Sequence, residues 1–276
     1  VATMIAQSDS GTRILPIVEM RGISKFFGGV AALEDVDFHV NKGEVVALLG
    51  DNGAGKSTLI KILAGAVFPS EGSIHVDGQE AEIGSPARAK ELGIETVYQD
   101  LALCDNVDVP TNIFLGREIR RSVVRGLVSV FDRRRMAEET RRLLTDLKIN
   151  ITDIHAPVRD FSGGQRQTIA IAKSVYSAAK LIIMDEPTAA LGVAQQEQVL
   201  TLIEGLRNRG EAIVLISHNM DDVMRVADRV VILKTGRVVT NRPVGEVDRD
   251  GLIRMIISGI DEALELTAAG SPEART

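Results

Sequence analysis

The 276-residue chain has no tryptophan, two tyrosines and seven phenylalanines, so its core must be largely aliphatic. Its single cysteine, Cys104, excludes an intrachain disulfide and a cysteine-rich zinc site. No apolar run is long enough to span a bilayer. Positive charge is not in excess: 32 lysines and arginines stand against 38 aspartates and glutamates, a formal net charge of -6. That balance argues against a globally basic protein that binds nucleic acid. Residues Val1 to Pro16 lack the basic start and apolar stretch of a secretory signal. They are expected to form a flexible tail, as are residues 263–276.

What is present suits an α/β domain. Ile17–Glu19 and Leu33–Val40 read as strands, the second by the alternation of Val36, Phe38 and Val40. Glu44–Leu49, Leu181–Met184 and Ala212–Ile216 are short apolar runs of the kind that form buried strands. Gly72–Val76, Ile94–Tyr98, Arg229–Leu233 and Arg237–Thr240 are further strands, the last two joined by a turn at Lys234-Thr235-Gly236. Helices are expected over Lys56–Ala64, Gln165–Ala178, Met220–Val226 and Asp250–Ile260, and along the apolar face Val199, Leu202, Ile203 and Leu206. Between Asp105 and Pro157, Met136, Leu143, Leu144 and Leu147 fall at helical spacing among arginines and glutamates. This predicts a mainly helical subdomain inserted over residues 105–160. The arginine clusters Arg120–Arg125 and Arg133–Arg135 read first as solvated helix faces, with acidic lipid headgroups or a membrane partner's loop as the alternative.

Gly50-Asp51-Asn52-Gly53-Ala54-Gly55-Lys56-Ser57-Thr58 fits the pattern GxxxxGK[ST] between an expected buried strand and an expected helix. A triphosphate needs many donors converging on crowded oxygens. Glycines let backbone N–H groups approach, and the helix start adds partial positive charge. Lys56 is expected to reach the β and γ phosphates of ATP, and Ser57 to bind Mg2+. Downstream, the apolar run Leu181–Met184 ends in Asp185-Glu186-Pro187-Thr188. Two carboxylates at the end of a buried strand are costly without a partner or a task. Asp185 is placed to orient Mg2+, and Glu186 to act as the general base on the attacking water.

Phe161-Ser162-Gly163-Gly164-Gln165 resembles the LSGGQ signature of ABC ATPases, with phenylalanine in the first position. It opens an expected helix shortly before the acidic pair, in the family's order. The resemblance implies a P-loop NTPase fold with a RecA-like core, an antiparallel β subdomain and a helical subdomain, all within residues 17–262. It also implies that Ser162, Gly163, Gly164 and Gln165 face the γ-phosphate held by another subunit. Phe27, with Phe26 as competitor, matches the aromatic that stacks on adenine. Gln99 matches the glutamine that contacts Mg2+ or water and couples to the membrane partner. His218 matches the switch histidine at the γ-phosphate.

After Thr188 the run Ala189-Ala190-Leu191-Gly192 lacks the family's usual aspartate. It resembles instead the variant in ATPases of bacterial monosaccharide importers for ribose, xylose and fructose. Tyr98–Leu103 and Asn112–Glu118 look like the same subgroup. Many of its members carry two ATPase halves, whereas this chain shows no internal repeat. The resemblance therefore implies a homodimer, or pairing with a similar chain, on the cytoplasmic face of the membrane. Its partners would be permease subunits and, indirectly, a periplasmic or surface sugar-binding protein, with no nucleic acid. An ATPase for export or lipid transport, and a soluble ABC ATPase outside transport, are the alternatives.

Overall fold

The structure, a computed structural model, describes residues 15–123 and 128–261. Apart from Leu15 and Pro16, the expected tails lie outside the described residues. In chain order the first elements are β1 (Val18–Phe27), β2 (Val30–Val40), β3 (Val45–Leu49), α1 (Lys56–Leu63), β4 (Glu71–Val76), β5 (Gln79–Glu80), α2 (Pro86–Glu91) and β6 (Ile94–Val97). The insert carries α3 (Val109–Ile113), β7 (Arg120–Val123), β8 (Val128–Phe131) and α4 (Arg133–Asp146). The chain then runs through α5 (Gly163–Tyr176), β9 (Leu181–Asp185), α6 (Val193–Asn208), β10 (Ala212–Ile216), α7 (Met220–Val226), β11 (Arg229–Lys234), β12 (Arg237–Pro243) and α8 (Arg249–Ser258).

Six strands form the central sheet in the order β12-β11-β3-β10-β9-β6. All neighbours are parallel except β12, which runs antiparallel on β11. Every residue of β3 and β10 is buried, which explains why these strands read as unbroken apolar runs. Their side chains nonetheless divide cleanly. Val45, Ala47, Leu49, Ile182, Met184, Ile213 and Leu215 pack with Ile169 and Ile171 of α5 and Val199 and Ile203 of α6. Val46, Leu48, Leu181, Ile183, Val214 and Ile216 pack with Leu59, Ile62 and Leu63 of α1 and with Val18, Met20 and Phe38 of a second, antiparallel sheet. That sheet has the order β2-β1-β4-β5. The central sheet is thus covered on both faces, and only its ends are open to chemistry.

Two expectations need correcting. β1 continues to Phe27, well past Glu19. Register shifts between Met20 and Phe26 interrupt the alternation that would have revealed it. Residues 120–123 and 128–131 are not helical: β7 and β8 pair antiparallel, with Arg120 opposite Phe131 and Arg121 opposite Val130. Valines and a phenylalanine outweigh the arginines' helical preference there. Arg120 and Arg121 therefore lie on a strand, and Arg125 falls outside the described residues. Arg133–Arg135 do open a helix, capped by Asp132, whose side chain accepts from the Arg135 N–H at 3.1 Å. No helix among the described residues is long and apolar enough to cross a membrane.

The path from β6 into the insert is fastened by Asn112, which is fully buried. Its Oδ1 accepts from the Cys104 N–H at 2.7 Å. Its Nδ2 donates to the carbonyls of Cys104, Val107 and Asp108 at 3.0, 3.3 and 3.1 Å. Asn112→Leu keeps the branched shape but leaves these backbone groups without their partner. The expected loss is about 2–4 kcal/mol in a denaturant titration. A loss under about 0.5 kcal/mol would show that water or other groups replace the amide.

Candidate functional site

The loop from Gly50 to Gly55 joins the end of β3 to α1, and its glycines are required by its neighbours. A Cβ on Gly50 would lie 2.3 Å from the Leu233 carbonyl oxygen, and φ there is 144°. At Gly55, with φ 109°, a Cβ would come within 2.8 Å of the Ala32 carbonyl oxygen. The loop is further held by the Gly236 N–H, which donates to the Ala54 carbonyl at 3.0 Å. Gly55 caps α1 without a side-chain acceptor, whereas Ser85, Asp108, Asp132, Asn219 and Asp248 cap α2, α3, α4, α7 and α8 with theirs. The N–H groups of the first turn of α1 therefore face an outside acceptor.

Lys56 is the first residue of α1 and is only 9% exposed. Its Nζ donates to the carbonyls of Gly50 and Asp51 at 2.6 and 3.0 Å. Burial lowers its pKa, while Glu186, Asp51 and Asp185 pull it back up. The two carboxylates stand at the end of β9. Burial raises the pKa of both, against the lowering pull of Lys56 and His218. Glu186 holds a positive φ of 51°, fixed by its N–H donating to the Ile216 carbonyl at 2.9 Å. This conformation is uncommon for a residue with a side chain. It turns the glutamate away from the strand line and toward the loop after β10.

His218 lies in that loop. Its backbone N–H is 3.4 Å from Glu186 Oε2, and its Nε2 is 3.4 Å from Glu186 Oε1. The two segments are clamped from behind by Thr188, whose hydroxyl donates to the buried Asp222 carboxylate at 2.6 Å. Asp222 belongs to α7, the helix that follows His218 directly. This clamp was not legible in the sequence, where Asp222 looks like any acidic residue of a helix start. Gln99 is exposed and follows β6. Val97 pairs with Met184, so Gln99 reaches the same sheet end as Asp185 and Glu186. Ser57 is exposed at the second position of α1.

Phe26 and Phe27 are 42% and 52% exposed at the β1–β2 turn, and the Lys25 ammonium lies 5.2 Å from the Phe27 ring centroid. Both rings are available for stacking, and exposure does not separate them.

The signature residues lie elsewhere. Ser162 and Gln165 form a reciprocal cap at the start of α5: Ser162 Oγ accepts from the Gln165 N–H at 3.3 Å, and Gln165 Oε1 accepts from the Ser162 N–H at 3.0 Å. The serine hydroxyl still has its own proton to donate. A Cβ on Gly164 would come 2.7 Å from Gln195 Cβ, so that glycine is required by the packing of α5 against α6. Ser162 and Gln165 line a cleft of about 900 Å3 with residues 146–150, Thr152 and α6, and no residue of the phosphate loop borders it. At Gly192, φ is −72° and a Cβ would have room, its nearest neighbour being Gln195 Oε1 at 4.0 Å. Nothing in the backbone demands glycine there.

The residues fit Mg·ATP on two counts. The loop is a cradle that side chains at Gly50 and Gly55 would fill. Glu186 Oε1 is buried with no hydrogen-bond donor of its own. The described residues contain no cluster of three or more His, Cys, Asp or Glu suited to hold a metal, and Mg2+ needs none, since one or two carboxylates suffice beside phosphates and waters.

A family model described as ABC transporter matches residues 33–189. The chain is 43% identical over 242 residues to the xylose/arabinose import ATP-binding protein XylG of Sulfolobus acidocaldarius, covering 88% of this chain and 94% of that one. It is 47% identical over 224 residues to the fructose import ATP-binding protein FrcA of Rhizobium meliloti, covering 80% and 86%. With the ribose import ATP-binding protein RbsA 1 of Rubrobacter xylanophilus it shares 45% identity over 242 residues, but spans only 47% of that protein's length. Among solved structures, MJ1267, an ATP-binding cassette of an ABC transporter, superposes with a TM-score of 0.76 at 25% identity, covering 88% of this chain and 98% of that one.

The electrostatics make a prediction for stability. A carboxyl whose pKa is raised by folding ionises at a cost to the folded state. Below the ordinary carboxylate pKa both states are protonated and the cost is absent; it grows as pH rises through the folded value. Glu186→Gln should therefore raise the melting temperature of the nucleotide-free chain at about pH 7.5, with the gain shrinking toward about pH 4. A lower melting temperature at neutral pH would show that the contacts with His218 outweigh burial.

Proposed function

Because the chain belongs to the ABC transporter family of ATP-binding subunits, we propose that two such chains hydrolyse Mg·ATP between them and drive monosaccharide import through a separate permease. One observation carries the two-chain reading. Lys56, Asp185, Glu186 and His218 gather at one sheet end, while the cap Ser162–Gln165 lines a different cleft. A second copy can bring its Ser162 and Gly164 to the first copy's phosphate loop, and twofold symmetry then makes two equivalent sites.

In this reading the loop N–H groups and Lys56 hold the β and γ phosphates, and Phe27 receives the adenine. Ser57, Asp185 and Gln99 hold Mg2+, which supplies charge neutralisation on the phosphate oxygens. Glu186 takes a proton from the attacking water, and its raised pKa brings its basicity nearer to working pH. His218, fixed against Glu186, donates toward the γ-phosphate. The hydroxyl of the partner's signature serine closes the site from the other side. The water oxygen bonds to the γ-phosphorus as the bond from that phosphorus to the bridging oxygen breaks; ADP leaves with the electron pair, and the water's proton passes to Glu186.

The exposed Tyr98 and Leu115 flank a groove at the mouth of the insert, with Lys173 and Arg117 at its wall. This groove, next to Gln99, suits a permease loop on the cytoplasmic face of the membrane. The names of the similar xylose/arabinose, fructose and ribose import proteins support a monosaccharide as cargo. The sugar itself would reach the permease through a separate binding protein and would not touch this chain. Export and soluble roles have no specific observation in their favour.

Glu186→Gln should lower phosphate release by at least about 100-fold while sparing ATP binding and strengthening the ATP-dependent dimer in sedimentation. Rapid steady hydrolysis by this variant would remove Glu186 from the base role. The shared site is tested by mixing two inactive variants, Lys56→Ala and Ser162→Arg. Random exchange puts half the chains in mixed dimers with one intact site of two, so roughly a quarter of native activity should return. No recovery despite demonstrated subunit exchange would overturn the shared site. Cargo is tested in the complex with its permease: a monosaccharide-loaded binding protein should stimulate hydrolysis.

A further inference from the structure

We propose that Lys234 is a positioning residue for the phosphate loop, and that through it the docking of α8 sets the affinity for nucleotide. The inference rests on the reading of residues 50–58 as the nucleotide cradle. Lys234 ends β11, where the sequence shows only a turn. Its Nζ donates to three acceptors: Asp51 Oδ2 at 2.7 Å and the carbonyls of Ile256 and Ile257 at 2.8 Å each. An ammonium has three protons, and all three are used.

Each end of this clamp has its own reason. α8 has no basic residue in its last turn, so the carbonyls left over at its C-terminus are met by a cation from another element. Gly259 closes that terminus in the left-handed conformation at φ 73°, where a Cβ would lie 3.0 Å from Lys234 Cγ. The lysine stem is thus pinned by the helix cap. At the other end, Asp51 is held on two sides. Its carboxylate receives Lys234, while its carbonyl receives the Lys56 ammonium at 3.0 Å and the Ala54 N–H at 3.1 Å. The residues flanking Lys234 hold the same loop, Leu233 by contact at Gly50 and Gly236 by its N–H to Ala54.

As a surface ion pair, Lys234–Asp51 contributes little, because the two side chains are 29% and 48% exposed. Its effect lies in geometry. Two carbonyls of α8 fix the ammonium first, so little side-chain freedom remains to be lost when Asp51 joins. The loop is then biased toward the shape that puts the Asp51 carbonyl under Lys56, from where Lys56 reaches a bound phosphate. Lys234 touches no substrate atom in this account, so its loss should weaken binding and leave the chemical step alone.

The test is steady-state hydrolysis by the full chain, with direct titration of a nonhydrolysable ATP analogue. Lys234→Met should raise KM and the analogue's Kd about five- to tenfold, with kcat changed less than about twofold. Gly259→Val, which cannot adopt the left-handed cap, should give the same rise through α8 without removing any charge. Its combination with Lys234→Met should add nothing further, and neither should Asp51→Asn combined with Lys234→Met. If native chain binds the analogue and Lys234→Met binds it equally well, the positioning role is wrong while the cradle stands. If Gly259→Val leaves Kd unchanged, or its effect adds to that of Lys234→Met, the link to α8 is wrong. If the native chain binds no analogue, the cradle reading fails and the inference falls with it.

Discussion

A lysine ammonium almost out of solvent, above the end of an otherwise apolar sheet core, must be answered by negative charge. Lys56 is so placed, and most of the site can be read as the answer. Asp185 and Glu186 end the neighbouring part of the sheet and are themselves pushed by burial toward their protonated forms. Neither sign is comfortable alone, and the loop's own carbonyls hold the cation. In the proposed reading, a triphosphate with Mg2+ would add both charges at once and relieve the mismatch. The glycines at 50 and 55 let the loop lie close enough to β11 and β2 to create this enclosure.

The start of α5 is organised by a different logic. Ser162 and Gln165 satisfy each other, and Gly164 makes room for α6. The start of α5 is therefore complete as a helix terminus before any nucleotide arrives. Such a terminus presents a preformed surface to a neighbouring molecule and spends nothing on local rearrangement. Gly192 belongs to the same region. Since its backbone would accept a side chain, the missing aspartate is a chemical difference from the family's usual pattern and not a steric one.

The legible parts of the sequence were those with strong local rules. β3, β9 and β10 announce themselves as apolar runs because both faces are covered, and the phosphate loop has a spacing with few other uses. The acidic pair stood out because charge at the end of such a run is expensive. What was missed depends on long-range contact or on broken periodicity. β1 is hidden by register shifts around Gly22, and the β7–β8 pair by arginines that read as a solvated helix. Asp222 and Lys234 are ordinary polar residues until folding brings their partners from elsewhere in the chain, and Asn112 until the local loop wraps its backbone around the amide. The signature was legible only as family likeness; its capping role became visible with the hydrogen bonds.

The β7–β8 pair has a consequence of another kind. Arg120, Arg121, Ser122, Ser129, Val130 and Phe131 are all exposed, so none of these six side chains helps to fill the core. Selection for a stable ATPase has little grip on such an appendage. Substitutions at these exposed positions should therefore cost the folded core little, which makes the strand pair a place where a new surface contact can be acquired at almost no risk to folding.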